Sequence, residues 1–193
     1  MSGSFVDKTL MALIDPSIYS SAIASLLVGF PPAPLDAGAP NEKLRPALAA
    51  LTPEILFTPA GKAVRDMRMA RCCLAGLWLR HNFFDESHAL SQEIETPTGS
   101  FWHAILHRRE PDYGNARYWF RRTGQHPIFA ELNDAAIAAG WPRQPHWDAY
   151  LFVDKVEAAL SKGPENSAAR LCRTAQQLEW ELLFDFCWQQ ALA

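Results

Sequence analysis

What most constrains this chain is its punctuation. Apolar residues recur at helical spacing almost throughout, prolines stand where helices begin, and glycines stand where they stop. The strict apolar and polar alternation of a half-buried strand is nearly absent. Such a sequence predicts an all-α fold: a single-domain irregular helical bundle of about seven to nine helices spanning residues 1–193. With 193 residues and 49% hydrophobic content, one core can organise the whole chain, so a division into two half-size domains is not expected.

The segments follow from the same signals. Asp15-Pro16-Ser17 opens a short helix to about Val28, and a Pro-rich loop near 30–42 wraps the surface in extended form as the best candidate for mobility. Thr58-Pro59 resembles a cap followed by a first-turn proline, after which Ala63, Met67, Ala70, Leu74, Leu77 and His81 form one stripe. Asp85 is the expected cap of a helix ending near Glu95, with Phe84 and Ala89 placed to form a hydrophobic staple. Thr96-Pro97-Thr98-Gly99 reads as a turn, Ser100 to Arg109 as a helix, and Pro111 to Arg122 as the next. Further helices are expected from His126-Pro127 to Ala139 and from about Pro145 to Leu160. A long C-terminal helix, with Ala168, Leu171, Ala175, Leu178, Leu182 and Phe186 on one stripe, is expected to pack on the core.

Charge and cysteine usage narrow the function classes. The formal net charge of −3 gives no overall attraction to nucleic acid or to an anionic membrane, so neither partner is expected. Between Lys62 and Arg122, however, ten Lys/Arg face seven Asp/Glu, which makes the middle of the chain basic and the ends acidic. Cys72, Cys73, Cys172 and Cys187 match no zinc spacing and no disulfide framework, and are read as reduced. Met1 to Asp7 lacks the basic start of an export signal, and the apolar run 18–30 is too short to span a bilayer. A cytoplasmic location is therefore expected.

Five of the six histidines lie in the middle third. His103 and His107 are four apart on an expected helix, so their rings stack on one face, with Ser100 and Glu110 extending the row by a turn each way. Two imidazoles at that spacing bind a divalent metal when a third histidine or a carboxylate completes the set, for which His88 and Glu110 are the candidates. Ala104 stands where a metalloprotease-type motif carries Glu, so that motif is not present. His103, His107 and Glu110 are also the candidates for acid, base or catalytic roles. No nucleophile elbow, Gly-rich phosphate loop or cysteine–histidine pair accompanies them, and whether the chain is an enzyme stays open.

The remaining histidines have plainer readings. His81 continues an apolar stripe and reads as a core-edge residue hydrogen-bonded to a neighbour. His126 precedes a helix-starting proline and reads as a cap, and His146 is assigned no function. Arg108, Arg109, Arg117, Arg121 and Arg122 interleave with Tyr113, Tyr118, Trp119 and Phe120, a mixture able to hold an anion or stack on a planar ligand. Arginines late in a helix also complement its dipole, so a solvated, salt-bridged face is a slightly plainer account of them than an anion site.

The stretch Phe101 to Arg122 (FWHAILHRREPDYGNARYWFRR), preceded by Asp85-Glu-Ser-His88 and followed by His126-Pro127, resembles the signature of an uncharacterised family of helical proteins with no assigned activity. That resemblance covers residues 80–130 and implies kinship without conferring catalytic roles. Within it, Asn115 to Arg122 is similar to one helix of Sel1-like or tetratricopeptide repeats, although no second copy of the pattern occurs.

Two functions fit these observations. In the first, the chain binds a small polar or anionic ligand, with or without a divalent metal, in an interhelical pocket. The pocket is lined by His88, His103, His107, Glu110, Arg108, Arg109, Tyr118, Trp119 and Arg122. In the second it is a non-catalytic interaction domain whose aromatic and arginine-rich surface, including Trp102, Tyr118 and Trp119, docks a protein partner. The oligomeric state is not legible in either.

Overall fold

The computed structural model describes residues 13, 15–57 and 63–193. Among the described residues it is 66% helical, with ten α-helices and no strand, which is the expected all-α fold. No described helix is long and apolar enough to cross a membrane. The helices are α1 Ser21–Leu27, α2 Arg45–Ala49, α3 Pro53–Phe57, α4 Met67–Arg80, α5 Phe84–Ser91, α6 Pro97–Arg109, α7 Tyr113–Thr123, α8 Phe129–Ala138, α9 Ala149–Leu160 and α10 Ser167–Leu192. The count exceeds the expected range because α2 and α3 are one-turn helices of five residues each, too short to show a period.

Side-chain caps fix the starts of α1, α4, α6, α7, α9 and α10, and they correct several expected boundaries. Thr58-Pro59 lies outside the described residues. The backbone at 63–66 is not helical, and α4 starts where the Asp66 carboxylate accepts hydrogen bonds from the amides of Arg68 and Met69. The expected turn at Thr96 is a helix start, with the Thr96 hydroxyl accepting from the Gly99 amide at 3.0 Å and Pro97 in the first turn. Asp112, Asp148 and Asn166 cap α7, α9 and α10 in the same way, so each helix begins at a capping side chain beyond the neighbouring proline. α5 begins one residue before the expected cap and ends at Ser91, short of Glu95.

Three helices form the centre. α4 packs against α5, α6 and α10, while α6 also packs against α7, and α9 and α8 close on α10. Every residue of α6 except Pro97 is buried. At the crossing of α4 and α6, Gly76 faces the Trp102 indole: a Cβ there would sit 2.8 Å from ring carbons, so only glycine admits the contact. The Trp180 indole N–H from α10 donates to the Gly76 carbonyl at 2.9 Å, which ties all three helices at one point. All four cysteines are free and buried, as a reduced core reading requires.

The Pro-rich loop, the expected site of mobility, is tied to three helices by hydrogen bonds. Prolines remove amide donors and leave bare carbonyls, and buried carbonyls need partners. Arg80 of α4 donates to the carbonyl of Pro31 at 2.8 Å, Gln176 of α10 to that of Pro34 at 3.0 Å, and the Arg109 Nε to the same Pro34 oxygen at 3.0 Å. Asn82, in the left-handed conformation (φ 64°) just past α4, donates to the Ala39 carbonyl at 2.8 Å while its side-chain oxygen accepts from Arg109.

Candidate metal centre

α5, α6 and α7 bring together most of the residues singled out in the sequence. His103 and His107 lie one turn apart on α6, with ring centroids 4.7 Å apart. His88 enters from α5, its ring 4.5 Å from that of His103 and 5.6 Å from that of His107. One ring nitrogen from each of the three lies within 4.8 Å of the others, a group able to hold a metal ion. His103 and His107 are 2% and 8% exposed, whereas His88 is half-buried, so the cluster meets solvent on the α5 side.

The polar accounting at this cluster is open. The Nδ1 atoms of His103 and His107 are both buried and lack a hydrogen-bond partner. Glu110, just past the end of α6, brings Oε2 to 3.1 Å from the His107 Nδ1, close enough for a charge interaction but not aligned as a hydrogen bond. A buried ring nitrogen left without a partner costs roughly 1–3 kcal/mol, so the His103 Nδ1 is an uncompensated expense of folding and the His107 Nδ1 is eased only by the nearby Glu110 carboxylate.

Burial sets the protonation state. It is the first cause that pulls the His103 imidazole down to about 3, with His107 and His88 adding like-charge repulsion. His107 is lowered too, again by burial first, with Glu110 and Asp112 pulling the other way. Both rings are therefore neutral near pH 7, the form in which imidazole binds a metal or accepts a proton.

α7 roofs the site. The Trp119 indole stacks on His103 at 4.0 Å with planes 16° apart, and the Arg122 guanidinium lies 5.3 Å from the Trp119 ring. Tyr118 meets the edge of Trp119 and is 46% exposed. Arg122 forms no ion pair or hydrogen bond with a described residue, so its charge beside Trp119 is not neutralised by one.

Two expected ligand-binding arginines are committed elsewhere. Arg108 is fully buried, forks onto the Glu179 carboxylate of α10 and covers the Phe152 ring at 4.4 Å. Arg109 is 2% exposed and spends its donors on Asn82, the carbonyl of Leu79 at 2.7 Å and the loop carbonyls from Pro34 to Ala37. Trp102, expected on a docking surface, has no exposed area. Arg117 alone forms the solvated salt-bridged face, with Asp154 at 2.5 Å and Glu157 at 3.1 Å.

His81 behaves as read, its Nε2 2.8 Å from the Leu26 carbonyl, but His126 does not cap α8. The N-cap is Ile128 with no side-chain bond, and the His126 ring is buried with Nε2 3.2 Å from the Thr98 hydroxyl and Nδ1 3.5 Å from the Ile128 amide. The sequence did not mark Glu179 or Asn82, the partners that decide the fate of the two arginines, because both contacts join residues distant along the chain. No family model, curated protein or solved structure matches the chain.

Proposed function

We propose that this chain binds a divalent transition-metal ion through His88, His103 and His107, and presents that ion to a small polar or anionic ligand. The observation that supports this reading is the convergence of three ring nitrogens within 4.8 Å, two of the three rings buried and neutral with an unpartnered Nδ1. A triangle of that edge has its centre about 2.8 Å from each corner, against about 2.0–2.1 Å for a zinc–imidazole bond, so small rotations of the rings close the site.

Three protein nitrogens leave a fourth tetrahedral position for water or a ligand oxygen, the pattern of an ion that acts on something rather than one that only holds a fold together. Glu110 suits the outer role: its carboxylate lies 3.1 Å from the His107 Nδ1, and a small rotation of either group would let it hold that proton and direct Nε2 at the ion. The Trp119 face keeps water from one side, and Arg122 adds a positive charge beyond it, in keeping with an anionic ligand.

Titration of metal-free protein with Zn(II), and with Co(II) followed by its visible bands, tests the reading. One ion per chain is expected, with intense tetrahedral Co(II) absorption. His103→Gln and His107→Gln should weaken binding by more than the roughly 10–100-fold expected for Glu110→Gln, while His146→Gln leaves it unchanged. Failure to bind either ion, or equal binding by the His103 and His107 variants, would overturn it.

A further inference from the structure

A cavity lies apart from the cluster of His88, His103 and His107. The connection from α8 to α9 (Trp141 to Gln144), the outer face of α9 (Leu151, Lys155) and the first turns of α10 (Ala168, Leu171, Cys172) enclose about 410 Å³. Its walls are apolar: the Trp141 indole, Leu151, Leu171, Ala168 and the Cys172 thiol. Leu151 remains 38% exposed, an apolar surface with nothing over it.

The polar lining has one sign. Arg143 and Lys155 border the cavity together with the neutral Gln144 and Pro142, and no acid does. Neither cation forms an ion pair or hydrogen bond with a described residue, unlike Arg117 nearby, which holds two carboxylates. The one acid at the start of α10, Glu165, faces Arg173 at 3.5 Å. Burial pushes the Cys172 thiol up to about 11, so it is a neutral wall and not a nucleophile, and whatever binds does so reversibly.

We infer that this cavity is a binding site for a small amphiphilic carboxylate, whose apolar body lies against Trp141, Leu151 and Leu171 and whose carboxylate is held by Arg143 and Lys155. At roughly 30 Å³ for each water-sized group, 410 Å³ holds about 14 heavy atoms, the size of a medium-chain acyl or a substituted aryl acid. Apolar walls supply the affinity, and the paired cations select an acid over a neutral or cationic amphiphile. Nothing in this inference depends on the metal centre.

Decanoate, kept below its micelle concentration and titrated by calorimetry, is the probe; decanol and decylammonium share its body but not its charge. The expected result is saturable binding of one decanoate, at least tenfold weaker binding of decanol, and no binding of decylammonium. Arg143→Gln with Lys155→Gln, both at exposed positions, should lose at least tenfold in decanoate affinity while keeping the wild-type melting temperature. Leu171→Trp, which fills the cavity, should abolish binding of decanoate and decanol alike. Absence of decanoate binding to the wild type, equal affinity for decanol, or full affinity in the doubly substituted protein would overturn the assignment.

Discussion

The two sides of α6 carry buried polar groups under opposite terms. On one side, Arg108 and Arg109 reach into α10, α4 and the Pro-rich loop, where a carboxylate, an amide oxygen and four carbonyls accept from all their donor nitrogens but the Arg108 Nε. On the other, His103 and His107 keep neutral rings with a buried nitrogen that no hydrogen bond satisfies. All four side chains are buried, so burial alone does not separate architecture from function. Partners do: the arginine side holds a carboxylate, an amide oxygen and carbonyls and leaves only the Arg108 Nε unpaired, whereas neither histidine Nδ1 has a hydrogen bond.

The comparison breaks most visibly at Arg108. Arg108→Met leaves Glu179 buried and unpaired, with an expected loss of about 3–5 kcal/mol in urea unfolding. Adding Glu179→Leu should restore most of it. If the single variant is as stable as wild type, the arginine side is not the structural one. Arg109→Gln removes donors from the carbonyls of Pro34 and Leu79 and should cost about 2–3 kcal/mol by the same measurement.

The histidine side should respond in reverse. His103→Gln, nearly conserving volume beneath Trp119, is expected to shift stability by less than about 1.5 kcal/mol while removing metal binding. A large loss of stability with metal binding retained would reverse the assignment of the two sides.

Acidity gives the smallest and sharpest effect. Burial holds His103 down to about 3, and His81 and His126 to about 4, below the ordinary 6.5. In the unfolded chain these rings take up protons as pH falls through 6.5, whereas in the folded metal-free chain they stay neutral. The unfolded state therefore binds more protons between about 6.5 and 4, and stability falls with pH across that window. Glu181, whose carboxyl burial raises, acts with the opposite sign. The difference between wild type and His103→Gln thus isolates the cluster: the melting temperature of the variant should fall less steeply over that window.

How far the sequence could be read depended on range. Helical spacing is local, so the pairing of His103 with His107 and the stripe of α10 were legible. Capping is local too, yet proline drew the reading to the wrong residue at α4 and α6, where Asp66 and Thr96 carry the start. His88 could be named but not placed, because its approach to His103 depends on how α5 lies against α6. Arg108 looked like a surface cation because its partner, Glu179, stands 71 residues away and no local pattern links them. The loop at 30–42 looked free for the same reason, since the donors that hold it come from α4, α6 and α10.

That loop has a consequence for how the molecule comes apart. Because its carbonyls are held by the three central helices, its release and the separation of those helices are expected to be one cooperative event. Cleavage by a protease between Phe30 and Pro40 should therefore track the population of the globally opened chain and follow the denaturant dependence of the whole domain, instead of reporting local fraying.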